Sequence, residues 1–340
     1  APAGSDAPPS EAGTPATGPE APAGQNGSSG ATAEDLVPIE LSLVSCCTSG
    51  TEIALWVALD QGLFEKHGIT PKMAVLPPPT GVQALLSGDV RIGTAPGSAI
   101  NAYANGSTDL VFVAGNHSKP TYRIMTKNLE NPEDLRGKTL GVSGMYAPPA
   151  VAAMNYYEKQ YNMKAGTDYK VVPFNSIGDI LPALDQGLVD AGVLSTPLHL
   201  KAEALGANVL IDLAETFDEA NAWILTTRSF AKENSEAVTR FLKAYTEATA
   251  LMKKDESIAI ASIMKHVTGI TEEEAKTTYD DYVPLADINM VPDALVPYQV
   301  YTNNPSSQNV NPLDMIDFSF LRQLDESGFL QEHGFRLKLP

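Results

Sequence analysis

Two stretches of the chain share one pattern: Ala84-Leu-Leu-Ser-Gly-Asp-Val-Arg-Ile-Gly93 and Ala183-Leu-Asp-Gln-Gly-Leu-Val-Asp-Ala-Gly-Val193. In each stretch an apolar helical segment ends at a glycine, Gly88 or Gly187, and a short apolar strand follows. Glycine adopts the left-handed conformation that ends a helix without steric cost. The repeated helix-glycine-strand pattern predicts two α/β units of similar build.

The segments around the first stretch continue the alternation of strands and helices. Apolar runs predict strands at 39–45, 72–76 and 90–94, and helical periodicity predicts helices at 53–67 and 82–86. A helix between successive strands predicts parallel pairing in a sheet that helices cover.

The same rhythm begins again after Asp134. It predicts strands at 139–142, 170–172 and 191–194, and helices at 150–161 and 177–185. After a further apolar stretch at 223–227 the chain is expected to be mostly helical, with helices at 235–253, 258–266 and 271–279. The last of these opens on the capping pattern Thr271-Glu-Glu-Glu274.

Length and composition bound the class of protein. The chain has 340 residues, of which 43% are hydrophobic, enough for two ordinary cores. Its 23 basic and 41 acidic residues give a net charge of -18, which disfavours binding to nucleic acid or to anionic lipid surfaces. No run approaches the ~18 to 20 apolar residues that a membrane-spanning helix needs.

The first 34 residues contain no aromatic residue, Leu, Ile or Val and are rich in Ala, Pro, Gly, Ser and Thr. Such a segment cannot bury enough surface to fold, so residues 1–36 are predicted to be a disordered tether. A spacer behind a lipid-modified cysteine outside this sequence is favoured over an arbitrary tail. Because the chain begins at Ala1 without a signal segment, it is expected to be a mature or trimmed form.

Four segments together resemble the periplasmic-binding-protein-like family that serves nitrate, sulfonate, bicarbonate and thiamine-precursor importers. They are the two glycine-containing stretches, Ala54-Leu-Trp-Val-Ala-Leu-Asp-Gln-Gly-Leu-Phe64 with Gly68-Ile69, and Asp134-Leu-Arg-Gly-Lys-Thr-Leu-Gly-Val142. The resemblance implies an α/β fold of the type II periplasmic-binding-protein class, in which two lobes, each a mostly parallel sheet flanked by helices, close on a ligand in the cleft between them.

In that family two crossing segments join the lobes, and here they are expected near 117–122 and 218–223. Lobe 1 is then discontinuous, with residues 37–118 and 223–340, and lobe 2 has residues 119–222.

Ligands of open α/β sheets gather at the carboxyl ends of the strands, where loops lead into helix N-termini. The predicted ligand-binding residues lie on or beside these loops: Cys46, Cys47, Thr48, Trp56, Thr80, Ser98, Asn116, Met145, Tyr146, Phe174, Asn175, Thr196 and Trp223. The loops offer hydroxyls, amides and aromatic rings but no Arg or Lys except the flanking Lys119. They therefore favour an aromatic or heterocyclic ligand over a simple oxyanion. Core packing is the alternative for each aromatic residue, above all for Trp56.

Cys46 and Cys47 are the only cysteines. Adjacent Cα atoms lie about 3.8 Å apart, below the usual disulfide range of about 4.4 to 6.8 Å. Three interpretations stay open: two reduced thiols that pack, a strained vicinal disulfide, or a redox or metal role. The scattered histidines give no support for a metal.

The sequence thus predicts an extracytoplasmic, lipid-anchored, monomeric solute-binding protein that delivers a vitamin-type ring, a thiamine pyrimidine precursor or a riboflavin-like molecule, to an ABC permease. No cofactor and no catalytic residue are predicted. The alternatives are a binding protein for a sulfonate-like oxyanion, a sensor module, or an enzyme of the same fold such as a quinone-biosynthesis dehydratase or a pyrimidine-precursor synthase. The synthase looks to carry a longer cysteine cluster, from which this chain departs.

Overall fold

The structure is a computed structural model that describes residues 36–45 and 47–340. The tether predicted for 1–36, apart from Leu36, and Cys46 lie outside the described residues. The strands are β1 (Ile39–Ser45), β2 (Ile69–Val75), β3 (Ile92–Thr94), β4 (Leu110–Ala114), β5 (Arg123–Thr126), β6 (Thr139–Ser143), β7 (Lys170–Phe174), β8 (Ala191–Leu194), β9 (Asn208–Asp212) and β10 (Ile224–Thr227).

The α-helices of the first two thirds of the chain are α1 (Ile53–Asp60), α2 (Leu63–Lys66), α3 (Pro78–Ser87), α4 (Pro96–Ala104), α5 (Pro148–Tyr161), α6 (Ile180–Asp185) and α7 (Leu198–Ala204). Those of the last third are α8 (Arg228–Glu233), α9 (Ser235–Lys254), α10 (Glu256–His266), α11 (Glu272–Tyr282), α12 (Val296–Val300), α13 (Ser319–Glu326) and α14 (Phe329–Glu332). None of the helices in the described ranges is long and apolar enough to cross a membrane.

The strands form two five-stranded sheets, in the orders β2-β1-β3-β10-β4 and β7-β6-β8-β5-β9. Four strands of each sheet run in one direction, and one is reversed: β10 is antiparallel to β3 and β4, and β5 is antiparallel to β8 and β9. The predicted fold class, two mostly parallel sheets flanked by helices, is confirmed. The sequence analysis did not predict the two reversed strands.

Both reversed strands are the first to follow a crossing between the sheets. The chain leaves the carboxyl end of β4, passes through 115–122 and enters β5 beside the carboxyl end of β8, where Arg123 pairs with Leu194. The return crossing, 213–223, leads from β9 to β10. A strand that is entered at the carboxyl edge of a parallel sheet must run against its neighbours. The carboxyl edges of the two sheets therefore face each other.

The two crossing segments pair with one another. His117 N donates to Asn221 O at 3.2 Å, Asn221 N donates back to His117 O at 2.9 Å, and Glu219 N donates to Ser118 O at 3.1 Å. We call this pair the hinge. The lobe boundaries at 118 and 222 lie within it and stay a prediction.

Much of the last third of the chain packs on the first sheet, while helix α12 also contacts α5 beside the second sheet. Helix α9 has Val238, Phe241, Leu242 and Tyr245 buried at the spacing of one helical face. This face packs against α1. The second sheet has its own two buried clusters, one around Leu140 and Tyr157 and one around Ile180 and Leu184.

The prediction of a single helix over 53–67 is wrong. The helix breaks after Asp60, because Gly62 has a φ of 64°, the left-handed conformation, and begins the short helix α2. The apolar run hid this break, since both pieces bury their apolar side chains in the same core.

Candidate ligand-binding site

The loop after β1 carries a chain of hydroxyl contacts. Ser45 Oγ donates to Cys47 O at 2.7 Å, and Cys47 Sγ lies 3.3 Å from Ser49 Oγ. Ser49 Oγ in turn lies 2.8 Å from Thr51 Oγ1. Cys47 is half-buried, while Cys46 is outside the described residues, so the state of the cysteine pair stays a prediction.

Beneath this loop lies Glu52, which is fully buried. Its Oε1 accepts hydrogen bonds from Thr51 at 3.3 Å and from Thr94, the last residue of β3, at 3.4 Å. Glu52 directly precedes α1, where the partial positive charge of a helix N-terminus favours a carboxylate. The floor of the first lobe at this edge is therefore polar.

Asn116 ties the hinge to the loop after β1. Its amide nitrogen donates to Thr51 O at 2.7 Å and to Ala222 O at 3.2 Å, so that one side chain holds both crossings. Asn116 is 1% exposed, and its Oδ1 has no partner among the described residues. In this conformation the Asn116 side chain fixes the backbone of the loop after β1 to the backbone of the second crossing.

Tyr282, at the end of α11, brings the two facing edges together. Its ring packs so tightly over Gly50 that a Cβ there would lie 2.3 Å from a ring carbon. Thr121 of the hinge and Ser195 of the loop after β8 lie beside its hydroxyl. Burial raises the pKa of this phenol to about 12, so it stays protonated. The Tyr282 side chain thus lies between the loop after β1 and the loop after β8.

Arg123 and Asp281 form a charged contact beside Tyr282. The guanidinium donates to the two carboxylate oxygens at 2.8 and 2.7 Å, and Arg123 Nε lies 3.0 Å from Asp212. Thr196, a predicted site residue, is buried and donates to Asp281 as well. Burial alone would raise the pKa of Asp281, but the hydrogen bonds from Arg123 and Thr196 outweigh it and hold the pKa below its usual value.

The predicted aromatic residues of the second lobe differ in exposure. Tyr146, on the loop after β6, is 45% exposed, and the neighbouring Met145 is half-buried. Phe174, at the end of β7, is half-buried, with a ring carbon 3.2 Å from a Cβ built on Gly141. Asn175 is exposed beside it. Of these rings, Tyr146 offers the most surface to a ligand.

Both tryptophans lie in the core of the first lobe. Trp56 stacks on His266 with ring centroids 5.3 Å apart, and Trp223 donates from its indole nitrogen to His117 O at 3.0 Å. Trp223 is 0% exposed and also packs edge-on against Phe112. Neither ring presents a face to the space between the lobes in this conformation, so packing accounts for both.

The remaining predicted residues sit on helix starts and loop tips. Thr48 and Thr80 are exposed, the latter in the first turn of α3. Ser98 is half-buried in the first turn of α4. The described contacts join Cys47, Asn116 and Thr196 to the Tyr282 region, whereas they do not link Thr48, Thr80 or Ser98 to it.

Sequence reasoning missed Arg123, Asp281 and Tyr282. Asp281 and Tyr282 come from the C-terminal helices, far in sequence from the strand-end loops. The one available signal for Arg123 was its place directly after the predicted crossing at 117–122. Within the described ranges no group of His, Cys, Asp or Glu side chains could hold a metal ion.

Comparisons with known proteins agree on the fold. A family model described as NMT1/THI5 like matches residues 51–258. No curated protein matches the chain. The chain is similar to the aliphatic sulphonate-binding protein SsuA of Escherichia coli, with 22% identity, a TM-score of 0.66, and coverage of 84% of this chain and 97% of that chain.

Two further solved structures are similar over the same extent. The alkanesulfonate-binding protein SsuA of Xanthomonas axonopodis pv. citri, bound to MOPS, has 18% identity, a TM-score of 0.67, and coverage of 84% of this chain and 100% of that chain. An ABC transporter protein from Parabacteroides distasonis has 17% identity, a TM-score of 0.61, and coverage of 83% and 99%. At these identities the likeness shows the fold.

Proposed function

This chain belongs to the NMT1/THI5-like family, and we propose that it is the solute-binding component of an ABC importer, which captures a small ring-containing molecule between its two lobes. One observation carries the proposal: the carboxyl edges of the two sheets face each other and are joined by the paired crossings of the hinge. Such an arrangement can close on a ligand by rotation of the lobes.

Closure also supplies the signal to the transporter. The ligand shifts the population toward the closed form, and a permease that recognises that form responds only to loaded protein. In this proposal the protein acts as a monomer on the outer side of the membrane. Residues 1–36 tether it to a lipid anchor.

The electrostatics beside the hinge support a ligand without a free oxyanion. Arg123 is bonded to two carboxylates, Asp281 and Asp212, and Lys119 lies 2.9 Å from Asp218. An anionic ligand would have to compete with these acids for the cations. A neutral heterocycle avoids this competition.

Flat surface and neutral polar groups complete the argument for a ring. Tyr146 and Phe174 supply aromatic faces on the second lobe, and the half-buried Ser49 supplies a hydroxyl on the facing loop of the first. A thiamine pyrimidine precursor or a riboflavin-like molecule suits these groups.

A sulfonate-like oxyanion is the second candidate, because two of the similar solved structures are of sulfonate-binding proteins. Helix N-termini alone can hold an anion, and α4 and α5 both begin at the facing edges.

Binding measurements on the full chain decide between the two. We would record thermal melting with the thiamine pyrimidine, riboflavin, taurine and ethanesulfonate. A ring ligand at about 100 times its dissociation constant should stabilise the protein by about 2.7 kcal/mol. Stabilisation by the sulfonates alone would overturn the ring proposal and keep the importer proposal.

Two further readouts test the importer proposal itself. Small-angle scattering should show a smaller radius of gyration with the bound ligand than without it. Mass spectrometry should recover the ligand unchanged after long incubation. A converted ligand would identify an enzyme of the same fold instead, and tight binding without compaction would argue against transport by lobe closure.

A further inference from the structure

A concave surface on the first lobe is basic in a protein that is strongly acidic. It is an open concavity with a volume of about 550 Å³ at the C-terminal end of α9. We call it the basic cavity. Its ionisable lining consists of Lys253, Lys254, Arg336, Lys338, His333 and a single acid, Asp287.

The charges of this cavity are largely uncompensated. Of the four cations that line the cavity, Lys338 lies 3.4 Å from Asp287, while Lys253, Lys254 and Arg336 have no described carboxylate within 4.0 Å. Four cations facing one acid contrast with a net charge of -18 for the whole chain.

The surroundings of Lys253 lower the pKa of its ammonium group. Desolvation lowers the pKa of this ammonium, the nearby Lys338 lowers it further, and Asp287 compensates in part. A bound anion would raise the pKa of Lys253 by direct electrostatic attraction. The C-terminal end of α9 explains the preference for Lys253 and Lys254 at that position. It does not explain Arg336 and Lys338, which come from the opposite wall.

That opposite wall is held in place by a buried amide. Asn289 is 3% exposed, donates to Arg336 O at 3.1 Å and accepts from Lys338 N at 2.7 Å. These two bonds fix the backbone from which both cations project. The two walls of the cavity are thus each built on ordered backbone.

The basic cavity also lies directly beside the hinge. Asp287 N donates to Asn116 O at 2.7 Å, and Gly115 N donates to Ile288 O at 2.8 Å. The segment 287–289 therefore lines the cavity on one side and pairs with the first crossing on the other.

We propose that the basic cavity binds a polyvalent phosphate-type anion. Several convergent ammonium groups and one guanidinium suit an anion whose charge is spread over several oxygens, since Arg can hold two of them at once. The volume is within the range of small-molecule sites, about 300 to 1,000 Å³. The anion is either free in solution or the headgroup of a lipid, and both present the same phosphate chemistry.

Calorimetric titration of the full chain with pyrophosphate tests the proposal. The variant Lys253→Gln/Arg336→Gln removes one cation from each wall, and we expect it to bind at least about tenfold more weakly. The control Lys159→Gln/Arg322→Gln removes an exposed Lys from the last turn of α5 and an exposed Arg from α13. It makes the same change in net charge and should bind within about twofold of the parent.

Vesicle sedimentation separates the two sources of phosphate. Retention on phosphatidylglycerol vesicles but not on phosphatidylcholine vesicles, lost in the cavity variant alone, would support a headgroup. Pyrophosphate binding without retention would support a free anion. Equal weakening in the two variants, or binding to neither probe by a parent chain that melts cooperatively, would overturn the proposal. Ligand capture in the cleft is measured separately, so its failure would leave this test unaffected.

Discussion

The guanidinium of Arg123 and the carboxylate of Asp281 form a two-pronged ion pair, with N–O distances of 2.8 and 2.7 Å, that links the first strand of the second sheet to helix α11 beside the first. The side chains are only 19% and 14% exposed. The pair therefore holds the two lobes together in a region from which water is largely excluded.

Replacing Asp281 by Asn should destabilise the protein by about 2 kcal/mol. The estimate lies between the value of an exposed pair, about 0 to 1 kcal/mol, and the loss of one partner of a buried pair, about 3 to 5 kcal/mol. Asp212 still pairs with Arg123 in the variant, which limits the loss. Denaturant unfolding gives the change in the free energy of unfolding.

The matched control is Asp168→Asn, which breaks the more exposed pair between Arg136 and Asp168 at 2.5 Å. It should cost less than about 1 kcal/mol. If the two variants lose the same stability, the contact at Asp281 is an ordinary surface pair and does not hold the lobes.

Glu219 should make the protein less stable as the pH rises from about 5 to 8. This hinge residue is fully buried, its Oε1 accepts from Tyr298 at 3.1 Å, and its Oε2 has no partner among the described residues. Burial raises its pKa to about 8, whereas the unfolded chain ionises at about 4.5. Ionisation of Glu219 is therefore more favourable in the unfolded state than in the folded state. The stability present below pH 4.5 is lost as the pH rises through 8.

The variant Glu219→Gln should remove this loss. Its stability relative to the parent should improve by roughly 3 to 4 kcal/mol between pH 5 and pH 8, because each pKa unit corresponds to about 1.4 kcal/mol. The exposed Glu215→Gln is the control and should leave the pH profile unchanged. Parallel profiles for Glu219→Gln and the parent would show that Glu219 is ionised in the folded protein.

His117 should make the protein less stable as the pH falls from about 6.5 to 4. Burial lowers its pKa to about 4, although its Nε2 lies 3.0 Å from Tyr282 O. Protonation of the unfolded chain is then favoured between pH 6.5 and 4, so the stability present above 6.5 falls as the pH decreases through this window. We expect a maximum in the free energy of unfolding between the two limbs, measurable by denaturant unfolding at successive pH values.

Gly115→Ala should be strongly destabilising, by about 3 kcal/mol or more. A Cβ at this position would lie 2.0 Å from Asn289 O and 2.8 Å from Asn289 C, which are backbone atoms that cannot turn aside. By contrast, Gly81 lies inside α3 with 3.6 Å to the nearest side chain, so Gly81→Ala should be neutral or stabilising by up to about 1 kcal/mol. Melting temperatures that fall equally for both would contradict this geometry.

The sequence was sufficient to predict the elements whose patterns are local. The strands at 39–45 and 191–194 have the observed positions, and the helix capped by Thr271 begins as predicted but ends at Tyr282 instead of 279. Alternation, apolar runs and capping residues act over a few neighbours, which makes such features readable from the sequence. Strand β4, Leu110–Ala114, was missed: it is entirely apolar, and an apolar run alone does not distinguish a strand from a buried helical segment.

The site was predictable only in part, for a related reason. Strand-end loops can be read from the order of elements, so the sequence named Cys47, Asn116 and Thr196, whose part in ligand binding stays a prediction. Tyr282 reaches the same place from a helix that begins more than two hundred residues after β1, and no local pattern shows that it packs on Gly50. Long-range packing also turned Trp223 from an expected ligand contact into a core residue.

Tyr146→Ala should weaken binding of a ring ligand by about tenfold while leaving stability nearly unchanged. The side chain is 45% exposed on the loop after β6, so its removal leaves no cavity in the core, yet an aromatic contact with a bound ring is worth about 0.5 to 1.5 kcal/mol beyond its buried area. The control is Tyr279→Ala, which removes a half-buried tyrosine from α11 whose ring lies 5.5 Å from Lys276 Nζ. Titration calorimetry with the best ligand of the melting panel gives both affinities. An unchanged affinity in Tyr146→Ala would show that the bound ring does not stack on Tyr146. If the second lobe supplies the aromatic face, Phe174→Leu should then weaken binding of the ring ligand.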